Sequence, residues 1–309
     1  MFNKFLKFIT FTAVVFSVVG CAAAPTSVPT AVPSPSPEPT IASPRTLVLG
    51  EVSENVEKKI TAYQPLADYL AAHLGQFGFA GAEVKIAPDQ ETMIQWLKDG
   101  TVDLFFASPY SAMIMNDQAG AQIFLRKWKS GVSEYKSLIF VRKDSGIQSL
   151  ADLRGHVIAF DEPFSTTAYM LPLAYMIEGG LKTVEVSSPE SSVPADQVGY
   201  VFALGQENVT DWLTNGKVSA GAFSDQDLKD VPADFMDKVV VLVETEPLPR
   251  YLALARPSMD SAELEAIKAL LVGLDQTPEG PEILKTNEKT AKFDEMPNTE
   301  AMLGRASAR

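Results

Sequence analysis

From residue 46 onward, short apolar runs alternate with stretches whose apolar residues recur at helical spacing. Residues 46–50 (Thr-Leu-Val-Leu-Gly) read as a strand, and the segment 63–74 places Leu66, Tyr69, Leu70 and Leu74 on one helical face. A second strand is expected at 84–86, then a helix over 90–97 with Met93, Ile94 and Leu97 inward. A third strand follows at 102–106 and enters another helix after Ser108-Pro109. This β-α-β alternation predicts an α/β chain with a largely parallel sheet. From Gly146 the pattern starts again, with a short helix at 148–153, strands at 157–160, 198–203 and 220–223, and helices at 168–178 and 207–214. Strands at 238–243 and 252–255 and a C-terminal helical third, with Leu264, Ile267, Leu270 and Leu271 at helix spacing, complete the chain. Two such units with a C-terminal return predict two lobes around a cleft, where ligands bind outside the carboxyl ends of the strands.

The N-terminus follows another logic. Lys4 and Lys7 precede an apolar run over 8–20 that is too short to cross a bilayer comfortably, which reads as an export signal. Val18-Val19-Gly20-Cys21 resembles a bacterial lipobox, in which the cysteine is acylated and becomes the new N-terminus. An ordinary signal peptide with an incidental cysteine is the alternative; the only cysteine of the chain falls at the cleavage point. Residues 22–45 hold seven of the 21 prolines among Ser, Thr and Ala, so 21–45 is expected to be a lipidated cysteine and an extended, semi-rigid spacer.

Composition narrows the chemistry. The chain has 309 residues, 46 % of them hydrophobic, enough for two domain-sized units or one large one. With 26 Lys+Arg against 39 Asp+Glu the formal charge is −13, which argues against a nucleic-acid binder, because phosphate-backbone affinity rests on cations that this chain lacks in excess. Loss of residues 1–20 removes two lysines and no acid, so the acyl chains, not a polybasic patch, would be the membrane anchor. One cysteine excludes an intrachain disulfide, and His73 and His156 have no second ligand at metal spacing, so neither metal nor cofactor is expected. Catalysis is disfavoured too. Ser165 has no histidine near it in sequence apart from His156 on the preceding strand, and there is neither a Gly-x-Ser-x-Gly elbow nor a paired-carboxylate signature.

Ser165-Thr166-Thr167, just ahead of the helix expected at 168, is the one anion-binding constellation that physics supports unaided. Hydroxyls and backbone N–H groups converge at a helix N-terminus, where the dipole favours negative charge. The same residues also suit an ordinary N-cap, and both readings stand. Tyr110 and Tyr135 offer an apolar face and one hydroxyl near the cleft, or serve as core; Trp96 and Trp212 fall in amphipathic patterns and read as packing.

Taken in order, several segments resemble the solute-binding proteins of ABC transporters for phosphonate, phosphite and phosphate. They are Tyr-Gln-Pro-Leu-Ala-Asp-Tyr-Leu at 63–70, Asp-Gly-Thr-Val-Asp-Leu at 99–104, Tyr-Lys-Ser at 135–137 leading to Val-Arg-Lys-Asp-Ser-Gly-Ile at 141–147, Leu-Ala-Asp-Leu-Arg-Gly at 150–155, Ser-Thr-Thr at 165–167 and Asn-Gly-Lys-Val-Ser-Ala-Gly-Ala at 215–222. Together they cover nearly all of 46–255. The resemblance implies a type II periplasmic-binding fold: lobe 1 over 46–142, lobe 2 over 143–240, a return over 241–309, chain crossings near 141–146 and 240–251, and flytrap closure on a small ligand.

It also implies that the hydroxyl turn Ser165, Thr166 and Thr167 grips a phosphonyl group. Other pocket positions depart from the family. Gln90 stands where a Tyr is frequent and Gln206 where a His is frequent, both amides that still hydrogen-bond an oxyanion. Ser108 follows Ala107 where an aromatic or a Gly-Pro pair often lines the cleft. Asp225, after Val-Ser-Ala-Gly-Ala, either faces the cleft and selects a cation or protonated oxygen, or is solvated. Arg250 or Tyr251 would lie at the hinge side; Arg250 either clamps an anion or is a solvated surface arginine. The expectation is thus a monomeric, lipid-anchored receptor that delivers a small oxyanion to a membrane permease with a cytoplasmic ATPase. The alternatives are a neutral or zwitterionic solute on the same fold, or a sensory module.

Overall fold

A computed structural model of the chain describes residues 44–296; the expected export signal, Cys21 and most of the expected spacer lie outside the described residues. The first strand is β1 (Arg45–Val52), with Leu47 and Leu49 fully buried. α1 (Val56–His73) follows, its Asn55 cap accepting from the Lys58 N–H, and buries Leu66, Tyr69 and Leu70 as their spacing requires. β2 (Phe79–Ala87), α2 (Gln90–Asp99) and β3 (Leu104–Ala107) continue the alternation, with Met93, Ile94 and Leu97 buried. A Cβ on Gly50 would lie 2.8 Å from both Met93 and Val102, so the side chains over β1 pack this closely only against a glycine. α3 (Pro109–Ala119) opens on a proline after the Ser108 cap. β4 (Gln122–Lys127) then ends the first half; its sequence carries no clean alternation and it was not expected.

After the two-residue strand β5 (Glu134–Tyr135), the second half comprises β6 (Ser137–Arg142), β7 (Val157–Phe160), a π turn over Thr166–Met170 leading into α4 (Leu171–Glu178), β8 (Lys182–Glu185) and β9 (Gln197–Phe202). It ends with α5 (Gln206–Thr214), β10 (Ala220–Ser224), α6 (Phe235–Lys238) and β11 (Val239–Glu244). β12 (Leu248–Pro249), β13 (Tyr251–Ala255), α7 (Ser261–Gly273), α8 (Gly280–Thr286) and β14 (Phe293–Asp294) form the return. Two six-stranded sheets result, in the orders β14-β4-β13-β3-β1-β2 and β11-β6-β10-β7-β9-β8. Each has apolar clusters on both faces.

Two expectations need correction. The sheets are mixed: β1 is parallel to β2 and β3, and β7 to β9 and β10, but β13, β4 and β14 pair antiparallel in the first sheet and β6 and β11 in the second. The reversed strands are β13, β6 and β14. β13 and β6 enter from the inter-sheet crossings without a helical crossover, whereas β4 and β11, reached through α3 and α6, keep the common direction and are antiparallel only to the strand inserted beside them. The crossing expected near 141–146 is also displaced, because Val141 sits inside the second sheet, paired with Ala220 and Val240. The apolar run of β6 is buried on both faces as a central strand, which a hinge segment is not. The chain instead crosses over 128–136 and again over 245–250, where Tyr135 pairs with Leu248 and Glu134 with Pro249 in a small ribbon.

Candidate ligand-binding cleft

Strand register brings the working ends of the elements together. Gly50 pairs with Phe105, Leu252 with Ala107 and Tyr251 with Lys127, so Glu51, Ala107, Tyr251 and Lys127 line one end of the first sheet, the end at which α3 starts. In the second sheet Phe160 lies opposite Phe202 on parallel strands, whose carboxyl ends lead to the turn at 161–165 and the start of α5. The two ends meet. The Tyr110 N–H donates to Thr166 Oγ1 at 3.0 Å, and the rings of Tyr110 and Tyr169 lie edge-on at 6.3 Å.

The hydroxyl turn divides its work. Ser165 is the N-cap, its Oγ accepting from the Ala168 N–H at 3.1 Å, so the ordinary capping reading holds for this residue. Thr166 and Thr167 are buried beyond it; Thr166 reaches α3, and the Thr167 carbonyl accepts from the Ser137 hydroxyl. The Met170 N–H bonds to the Ser165 carbonyl, the widened spacing of a π turn. Two helix starts, α3 and the helix over 166–178, thus converge, and first-turn N–H groups lack intrahelical acceptors and favour an anion.

Arg250 adds the full charge that neither helix supplies. Its guanidinium lies 4.5 Å from the centroid of the Tyr135 ring, its backbone N–H donates to Ser133, and its Nε is buried without a hydrogen-bond partner. Tyr135 is buried on the ribbon and within hydrogen-bonding reach of Thr166 and Arg250; burial pushes its phenol up to about 12. At neutral pH the phenol keeps its proton, and the guanidinium has an N–H left without a partner. The surface reading of Arg250 is therefore set aside by its contacts.

The other sequence-selected residues scatter around this centre. Gln90, first in α2, donates to Ser111 of α3 at 3.0 Å and leaves Oε1 buried without a partner. Ser108 caps α3 through its backbone carbonyl alone. Gln206 starts α5 and donates to the Asp227 carbonyl at 3.0 Å. Asp225 accepts from the Lys136 N–H at 3.1 Å and from Gln226, so its carboxylate clasps the hinge-side backbone and is not simply solvated. Tyr251 lies in a different environment, between Lys129 and Lys127, with ring centroids 4.0 and 5.8 Å from their Nζ atoms. His156 meets Ser219 at 2.9 Å, away from Ser165, and His73 meets the Tyr69 carbonyl. Among the described residues no group of three or more His, Cys, Asp or Glu could hold a metal ion.

Asp161 was missed, although it directly follows a strand expected from sequence, where α/β sheets place ligands. Burial first, then Glu162, Asp227 and Glu207, push its carboxyl up to about 6 against a bond from the Gly205 N–H; Oδ1 is buried without a partner. A raised folded pKa means that the fold prefers the protonated acid. The stability it contributes is full below about pH 4 and is lost as pH rises through about 6. Asp161→Asn is therefore expected to raise unfolding free energy at pH 7.5 by about 1–2 kcal/mol, less than the full conversion because the group is partly solvated. Urea unfolding at pH 4 and 7.5 tests this; an equal effect at both pH values would contradict it.

The comparisons agree with this architecture. The profile of the family described as ABC transporter, phosphonate, periplasmic substrate-binding protein matches residues 51–300. A phosphate-import protein PhnD of Mycolicibacterium smegmatis is 27 % identical over 183 residues, 58 % of this chain and 54 % of that protein. A phosphonates-binding periplasmic protein of Escherichia coli is 24 % identical over 204 residues, 64 % of this chain and 58 % of its own length. The chain thus spans little more than half the length of these curated relatives. XAC2383 of Xanthomonas citri, solved with chloride and with ATP, is 28 % identical, with TM-scores of 0.80 and 0.79 over 85 % of this chain and 96 % of that one. The two curated relatives are named for binding or import, not for catalysis. With two α/β sheets joined by a paired crossing and a family match over most of its length, the chain belongs to the periplasmic substrate-binding proteins of phosphonate ABC transporters.

Proposed function

We propose that the chain is a monomeric, lipid-anchored receptor that captures a small phosphorus oxyanion by closure of its two lobes and hands it to a membrane permease driven by a cytoplasmic ATPase. The observation that carries this reading is the convergence at Thr166 of two helix starts and the Tyr135 phenol, with the Arg250 guanidinium over that phenol's ring and its Nε unpartnered. Uncharged donors at helix N-termini with one fixed arginine match an oxyanion's geometry, and at short range they outweigh a diffuse net charge of −13 that salt screens beyond about 8–10 Å. Phosphate and phosphonate in the names of the curated relatives support the same ligand class. Anchoring rests on Cys21 and the proline-rich spacer, which hold the folded part outside the cytoplasmic membrane.

A second reading, a zwitterionic solute, is favoured by the carboxylates of Asp161 and Asp227 beside the same cleft; burial raises both. A thermal-shift panel on the full chain with phosphate, phosphite, methylphosphonate, sulfate, and neutral and amino solutes separates the two. A phosphorus oxyanion at a hundred times its Kd is expected to raise Tm by about 5–10 °C, and Thr166→Val to abolish the shift. A shift with neutral solutes alone would retire the oxyanion reading.

A further inference from the structure

A second charged centre lies at the cleft end of the first sheet. The Glu288 carboxylate receives three ammonium groups, Lys59 at 2.8 Å, Lys127 at 3.1 Å and Lys129 at 3.2 Å, together with the Tyr63 hydroxyl at 2.7 Å. Glu51 lies 3.5 Å from Lys59, its Oε2 buried without a hydrogen bond. Three lysines against two carboxylates leave an excess positive charge, which an anion from outside would neutralise.

Glu288 reaches this centre from the C-terminal arm, not from the sheet. It and Lys289 hold φ of +57° and +53°, a left-handed pair that non-glycine residues adopt at a cost of roughly 1–2 kcal/mol each. The neighbouring Asn287 is fully buried with Oδ1 unpartnered. The side chains of Lys59, Lys129 and Glu288 keep 20 %, 19 % and 14 % exposure, so they are reached from solvent, whereas Lys127 is sealed. Tyr251, which lies under Lys129, is next in sequence to Arg250, whose guanidinium covers the Tyr135 ring of the first site.

We propose that Lys59, Lys127 and Lys129 form a second anion subsite of the cleft, filled by Glu288 as a tethered carboxylate until a ligand's own second acid group replaces it. The proposal rests on the oxyanion reading of the Thr166 site, and it narrows the solute to phosphorus oxyanions that carry a second acid group, as phosphonocarboxylates do. Three lysines and a phenol around one carboxylate are the contacts such a group would find. A tethered carboxylate competes at an effective concentration in the millimolar range, and a ligand already held by its phosphorus group competes on similar terms.

Calorimetric titration of the full chain with methylphosphonate and with phosphonoacetate tests the subsite, because the two probes differ by one carboxylate. Glu288→Gln is expected to tighten phosphonoacetate about tenfold, the worth of one charge-assisted contact, and to leave methylphosphonate within about twofold. Lys59→Gln or Lys129→Gln in that background should remove the gain. Equal changes for both probes, or none, overturn the proposal. Should Glu288→Gln not fold, Lys129→Gln alone decides: it weakens phosphonoacetate selectively or the proposal falls. Lysine-dependent binding of phosphonoacetate without any binding of methylphosphonate would keep the subsite and retire the Thr166 reading. Phosphonoacetate binding to no chain overturns the subsite.

Discussion

Glu288→Ala is expected to lower the unfolding free energy by about 3 kcal/mol, because it leaves the fully buried Lys127 without its carboxylate. Burial already works against the charge on Lys127 and brings it down to about 8, so at neutral pH the ammonium persists on the strength of Glu288. The same burial works against ionised Glu288, but Lys127, Lys129 and Lys59 outweigh it and hold the carboxyl well below its ordinary range. A depressed carboxylate contributes stability that is present above about pH 4 and is lost as pH falls further. The loss in Glu288→Ala should therefore shrink in acid. Lys127→Met added to Glu288→Ala is expected to restore about half of it, since the stranded charge goes while its packing volume stays. Urea midpoints of the two single variants and the double variant at pH 7 and pH 3 measure this. Additive single effects would show that the residues do not act as a pair.

Arg250→Met should move stability and binding apart. A charge-assisted bond to an oxyanion is worth about 1.5–3 kcal/mol, so affinity for the bound oxyanion is expected to fall about 10- to 100-fold. The ligand-free chain should melt no lower, and even slightly higher, because a buried Nε without a partner is removed while methionine still covers the Tyr135 ring. Calorimetric Kd and ligand-free Tm, taken on the same preparation, decide. A lowered Tm with unchanged affinity would make Arg250 a packing residue of the hinge ribbon.

Much of the fold was legible because burial imposes its period on the chain. The faces of α1 and α2, the strands around Leu47, Phe105 and Ile158, and the helix after Ser165 all followed from spacing. β4 and β8 were not read, since Gln122–Lys127 and Lys182–Glu185 lack both alternation and a continuous apolar run. The crossing expected near 141–146 overlaps the end of the central strand β6, because local sequence does not say which sheet a segment joins.

The site divides along the same line. By itself the sequence determined an α/β chain and a hydroxyl-rich turn at a helix N-terminus, since periodicity and capping chemistry are local properties of the chain. Tertiary structure alone decided that Thr166 meets the Tyr110 N–H across 56 positions, that Arg250 turns inward over Tyr135, and that Glu288 sits among lysines up to 229 positions away. Those contacts are made by strand register and by two chain crossings that lie side by side, and no local pattern encodes which distant residues a register will align.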